Sequence, residues 1–216
     1  MKFLLTSAGI QNKSIAKAIL DLSGLEAKDI RLVFVPTAAN VEPADKGWLI
    51  RNLNAFLEQG YESIDIVDIT ALPKEVWKLR IEAGNVVCFS GGQESYLARC
   101  MREVGFDTEI SRLFETRLYV GISAGSMVVG KISKQQLETV YPGDAQAQVY
   151  SPGLELVNLY FLPHLNSEFF PLVTEETVRN MKEEVSAPRY LVDDQSAIAI
   201  ENGKISLVGE GKIVVL

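Results

Sequence analysis

Histidine is almost absent from this chain. Of 216 residues only His164 carries an imidazole, so any chemistry that needs a histidine base has one candidate. Cysteine is nearly as scarce, with Cys88 and Cys100 alone. One imidazole and two separated thiols cannot assemble a standard zinc site, and the carboxylates follow no calcium-loop spacing, so neither metal nor cofactor is expected. Cys88 lies in the apolar run Val86-Val87-Cys88-Phe89, and Cys100 on the apolar side of a helical pattern. Both are expected to be core thiols rather than a disulfide. Positive charge is in deficit: 21 Lys and Arg against 28 Asp and Glu give a net charge of −7. That balance disfavours nucleic acid as a partner and offers no attraction to an anionic membrane surface. No apolar run reaches the ~20 residues that cross a bilayer. Residues 1–5 give way at once to Thr6-Ser7-Ala8-Gly9, too short for a signal core, so a cytoplasmic location is expected. Neither a P-loop nor a Gly-x-Gly-x-x-Gly fingerprint is present.

Apolar material is plentiful, at 47% of residues, enough for one substantial core. Without linker, repeat or low-complexity stretch, residues 1–216 are expected to form a single domain. The first two-thirds alternates strand-like and helix-like segments. Residues 2–6, 31–36, 85–89 and 118–122 are apolar runs ended by small residues, and 63–69 alternates apolar and polar positions. Between them Ile15, Ala18, Ile19 and Leu22 keep the spacing of one helix face. Residues 48–59 do the same with Leu49, Leu53, Phe56 and Leu57, as do Leu97, Cys100, Met101 and Val104 further on. Such alternation with uniformly apolar strands predicts an α/β fold, a mostly parallel sheet flanked by helices. After about residue 140 the rhythm changes. Residues 174–185 read as a helix, and 160–163, 190–192, 197–201, 204–208 and 212–216 as short strands, with an Asn202-Gly203 hairpin signal. Antiparallel strands are therefore expected to continue the sheet at the C-terminus.

Ligands of an open parallel sheet bind beyond the carboxyl ends of its strands. Ser7-Ala8-Gly9, Thr37-Ala38-Ala39-Asn40, Ser90-Gly91-Gly92-Gln93, Ser123-Ala124-Gly125-Ser126 and His164 all occupy such positions. Gly121-Ile122-Ser123-Ala124-Gly125 fits a nucleophile elbow, where small neighbours let a serine sit on a sharp strand-to-helix turn with its hydroxyl exposed. The following N–H groups can stabilise an oxyanion. A Gly-Gly pair at 91–92 can present a second N–H, beside that of Ala124. A serine nucleophile needs a base, and His164 is the one histidine available. An acid that orients it is less sharply marked: Glu168, Asp144, Asp193 and Asp194 all qualify. Side chains alternate along an extended chain, so one of the adjacent pair 193 and 194 is expected to face the site.

Taken together, Gly-Ile-Ser-Ala-Gly-Ser at 121–126, Ser-Gly-Gly-Gln at 90–93, Leu-Pro-His at 162–164 and Val-Asp-Asp-Gln-Ser-Ala at 192–197 resemble the peptidase E family of aspartyl dipeptidases and the related cyanophycinases. The motif order and spacing hold along essentially the whole chain. The resemblance implies a fold like class I glutamine amidotransferases with serine in place of the cysteine nucleophile. It implies Ser123 as nucleophile, His164 as base, and the N–H groups of Gly92 and Ala124 as oxyanion hole. It points to Asp194 as acid, with Asp193 as alternative, since cyanophycinase-like relatives carry a glutamate in an Asp-Glu context. The order Ser…His…acid departs from the α/β-hydrolases, whose acid precedes the histidine. Ser123 and Asn166 stand where a glutamine amidotransferase would need a cysteine and an acid. The resemblance also implies a small peptide as substrate, with Asp-X dipeptides as the particular case. These would need a cation, for which Arg179, in a local match offset by one residue, is the candidate; Gln93 is a further candidate substrate contact. An amidase or acyl hydrolase of the same mechanism, and a non-catalytic binding protein that keeps the elbow as a turn, are the competing readings. The sequence leaves the oligomeric state open between monomer and homodimer.

Overall fold

The computed structural model describes residues 1–43, 45–142, 149–182 and 185–216. Its main sheet has seven strands in the order β3-β2-β4-β5-β1-β8-β9. Five are parallel: β1 (Lys2–Thr6), β2 (Arg31–Val35), β3 (Ser63–Ile66), β4 (Val86–Phe89) and β5 (Leu118–Ile122). Then β8 (Ser196–Glu201) pairs antiparallel with β1, and β9 (Lys204–Gly209) antiparallel with β8, across a turn in which Asn202 and Gly203 both have positive φ. A turn of that kind matches the Asn-Gly signal. The expected C-terminal antiparallel strands are thus present, but part of that region leaves the sheet. The strands β6 (Tyr160–Pro163), β7 (Arg189–Val192) and β10 (Ile213–Val215) form a second sheet in the order β10-β7-β6.

Central strands are apolar throughout because both faces are covered: every residue of β4 and β5 is buried. Alternate side chains feed two cores. Phe3, Leu5, Val33, Val87, Phe89 and Tyr119 join one, and Leu4, Leu32, Phe34, Cys88, Val120 and Ile122 the other. Cys88 and Cys100 are buried free thiols. Against one face packs α1 (Lys13–Ser23), its Ile15, Ala18, Ile19 and Leu22 buried as the spacing predicts. Asn12 caps its start by accepting from the N–H of Ile15, and Gly24 ends it at φ 72°. The predicted stripe on α3 (Gly47–Leu57) is only partly used: Phe56 is buried, whereas Leu57 is 68% exposed and Asn52 takes a buried position. The pattern at 63–69 is strand only to Ile66, with Val67 and Ile69 buried beyond its end. Three helices that the periodicity does not announce are α2 (Thr37–Asn40), α4 (Lys74–Ala83) and α8 (Lys134–Val140). Of the helix expected over 174–185, residues 183–184 lie outside the described residues, and the rest holds a five-residue α9 (Glu175–Arg179), capped by Thr174 and ended at Asn180. Only Val178 of that helix is buried, so it has no apolar stripe to extend. Among the described residues no helix is long and apolar enough to cross a membrane.

Register decides what meets at the carboxyl edge. Thr6 pairs with Ile122, Phe89 with Gly121, and Val35 with Phe89. The segments that follow β1, β2, β4 and β5 therefore emerge together. In the second sheet β6 and β7 are parallel with Pro163 opposite Val192, so His164 and the Asp193-Asp194 pair leave adjacent strand ends side by side.

Candidate active site

Ser123 lies between β5 and the short α7 (Ala124–Met127), with φ 48° and ψ −108°. Positive φ in a non-glycine residue costs about 1–3 kcal/mol and persists only where the surroundings enforce it. Here they do. The N–H of Ser123 donates to Thr6 O (3.0 Å), the hydroxyl of Ser126 donates to the same carbonyl (2.8 Å), and the Thr6 hydroxyl donates to Gly121 O (2.7 Å). Tyr119 closes the turn from the core by donating to Gly125 O at 2.7 Å. Both motif glycines are needed for space. A Cβ on Gly121 would stand 2.6 Å from Gly125 O, and one on Gly125 would run into the carbonyl of Phe89.

The hydroxyl of Ser123 is 3.0 Å from His164 Nε2, and His164 Nδ1 is 2.7 Å from Asp194 Oδ1. His164 is itself held at φ 69°, and Asn166 two residues later at φ 59°. The loop beyond folds back through Asn166 N to Val173 O and Phe170 N to Ser167 O, which lays the Phe170 ring on the imidazole at 4.4 Å. Asp194 is half-buried. Burial works to raise its pKa, but the hydrogen bond from His164, the attraction between the two, and hydrogen bonds from Ser7 and Ser167 outweigh it. The carboxyl is therefore held below its ordinary 3.8 and is ionised at neutral pH.

The other candidate acids have different surroundings. Asp193 Oδ1 accepts from Gln195 N (3.0 Å) and Oδ2 from Lys212 N (2.6 Å), tying the β7–β8 turn to the start of β10. Glu168 is exposed on the loop after His164, whose ring nitrogens face Asp194 and Ser123. Asp144 lies outside the described residues.

Gly92 has φ 128°, and a Cβ there would collide with the carbonyl of Ala38, so only glycine fits. Gly91 lies against Ser123, whose Cβ is 3.5 Å from where a Gly91 Cβ would be. The N–H groups of Gly92 and Ala124 have no acceptor among the described residues, Ala124 because it opens a helix. Gln93 is buried at the N-cap of α5 (Glu94–Glu103), its Nε2 3.5 Å from Glu42 Oε1. Arg179 is exposed at the end of α9 and donates twice to Glu175 Oε1, at 2.9 and 2.8 Å. In the sequence Ser7 is marked only as a small residue at a strand end. In the structure its hydroxyl donates to Asp194 Oδ1 and accepts from the N–H of His164. Among the described residues no three His, Cys, Asp or Glu side chains gather as metal ligands.

A strained serine on a strand-to-helix turn, with an imidazole within hydrogen-bonding reach, defines a serine-hydrolase class of site on an α/β sheet. The model of peptidase family S51 matches residues 3–208, and the chain belongs to that family. It is a serine peptidase. Two solved structures share its fold. One is a Listeria monocytogenes EGD-e protein provisionally assigned as peptidase E, 20% identical with a TM-score of 0.76, covering 97% of this chain and 98% of its own. The other is a peptidase from an acI-B1 Actinobacterium, 19% identical with a TM-score of 0.71, covering 98% of this chain and 88% of its own. No curated protein matches the chain in sequence.

Proposed function

We propose that this serine peptidase hydrolyses short peptides through Ser123, His164 and Asp194. The observation that carries the reading is the unbroken line from Ser123 Oγ through the imidazole to Asp194, with steps of 3.0 and 2.7 Å. Ser123 Oγ attacks the scissile carbonyl carbon while its proton passes to His164 Nε2. The carbonyl oxygen becomes an oxyanion and takes the N–H groups of Gly92 and Ala124. Collapse of the tetrahedral intermediate breaks the C–N bond, and His164 returns the proton to the leaving amine. The acyl group stays on Ser123 as an ester. Water then attacks that ester with His164 again as base, releasing the carboxylic acid and the free hydroxyl. Asp194, ionised and bonded to Nδ1, keeps the proton on Nδ1 and leaves Nε2 open as acceptor. Asp-X dipeptides are the particular substrate to try first. Their carboxylate needs a cation, and Arg179 would meet it only by releasing Glu175.

A dipeptide panel with varied first residues, run beside ester and amide substrates, tests the proposal. Ser123→Ala should lower turnover by several orders of magnitude. Retained turnover overturns the assignment, and hydrolysis confined to non-peptide amides or esters favours an amidase or acyl hydrolase instead.

A further inference from the structure

Ser7 is the first residue beyond β1 and is fully buried. The hydroxyl is on the Nδ1 side of the imidazole, whereas Ser123 Oγ meets Nε2. Its hydroxyl lies 2.8 Å from Asp194 Oδ1, 2.7 Å from the backbone N of His164 and 3.5 Å from His164 Nδ1. Chemistry fixes the direction of each bond. A backbone N–H can only donate and an ionised carboxylate can only accept, so Ser7 accepts from His164 and gives its single proton to Asp194. That leaves the Nδ1 proton to Asp194 alone, at 2.7 Å.

One hydroxyl thus ties together the two parts that must keep register. It anchors the main chain of His164, which sits in the left-handed region at φ 69° and has left the strand ladder of β6. It also supplies a second donor to the carboxylate oxygen that the imidazole uses. Ser7 comes from the main sheet, whereas His164 and Asp194 follow strands of the second sheet. Because Ser123 also leaves the main sheet, Ser7 sets the position of the base and acid relative to the nucleophile.

We infer that Ser7 is a positioning residue of the peptidase, its hydroxyl clamping the His164 backbone and the Asp194 carboxylate so that Nε2 stays aimed at Ser123. The inference rests on the proposed roles of Ser123, His164 and Asp194. Ser7→Ala should lower kcat by about 10- to 100-fold, the scale of a small misplacement of reacting groups, with KM within about threefold because Ser7 touches no substrate. The rate at which a fluorophosphonate labels Ser123 should fall in parallel. Since Ser7 acts on the coupled His164–Asp194 pair, the same substitution should cost less in an Asp194→Ala background than in the parent. A purely structural role would cost the same in both backgrounds. A Ser7→Ala rate within about twofold of the parent, a loss confined to KM, or full additivity with Asp194→Ala would each overturn the inference. Should Ser7→Ala fail to fold, the near-isosteric Ser7→Cys decides, because a thiol is a weak donor. A loss of about tenfold or more supports the clamp, and a parent-like rate overturns it. Ser123→Ala run alongside separates the two claims: turnover that survives it removes the underlying reading, whatever Ser7 does.

Discussion

Asp193 and Asp194 are chemically identical neighbours with opposite surroundings, and substituting each in turn should divide stability from catalysis. Asp194→Asn keeps an oxygen for Ser7 and His164 but removes the charge 2.7 Å from Nδ1. Unit charges about 4 Å apart at an effective dielectric near 20 attract by ~4 kcal/mol. Asp194 is only half-buried, which discounts the figure to about 2–3 kcal/mol of support for an imidazolium in the proposed mechanism. At 1.36 kcal/mol per decade this is roughly a 30- to 150-fold loss in kcat. Asp193→Ala removes the acceptors of two backbone N–H groups, Gln195 and Lys212. At about 1 kcal/mol each, and 2–4 °C per kcal/mol for a chain of this size, Tm should fall by about 4–8 °C. Turnover below the melting range should stay within about threefold of the parent. Steady-state kinetics on the best substrate of the dipeptide panel, with a thermal melt of each variant, read both quantities. Loss of turnover in Asp193→Ala together with near-parental turnover in Asp194→Asn would refute the assignment of the acid.

Gly125→Ala forces a methyl group against the carbonyl of Phe89 and its Cβ, 2.9 Å away. The main chain beneath the elbow cannot give way as a side chain would. Destabilisation of about 3 kcal/mol or more is expected, and a thermal melt within about 1 kcal/mol of the parent would contradict the steric account. Acid stability offers an independent check far from the site. The hydrogen bond from Lys78, with another from Lys74 and the charges of both, pushes Glu109 down to about 2 from an ordinary 4.5. A depressed folded pKa means that this stabilisation is fully present above pH 4.5 and is lost as pH falls through about 2. Glu109→Gln should therefore flatten the decline of Tm between those values, and an unchanged slope would show that the lysines contribute nothing there.

What the sequence reveals follows how local each signal is. Strand ends and small residues mark the carboxyl edge of the sheet, and a Gly-x-Ser-x-Gly at such an end names Ser123 without knowledge of any partner. His164 is found by scarcity. The choice between Asp193 and Asp194 needs more, because alternation says only that they point opposite ways. Which of them turns inward depends on β7 being held between β6 and β10, in register with Pro163 on one side and Ile213 on the other. No local pattern announces that second sheet, since its three strands are as short and apolar as those that continue the main one. The missed helices have a similar cause. Trp77 and Ile81 are the only buried residues of α4, and the seven-residue α8 buries Gln136, Leu137 and Val140, too few in either for a periodic stripe. Ser7 lies at the far end of this scale. Its partners are 157 and 187 residues away in the chain, so a serine after a strand reads as an ordinary turn until two sheets are docked. Ser123 is therefore legible from its own neighbours, whereas the groups that hold His164 in place become visible only through contacts between the sheets.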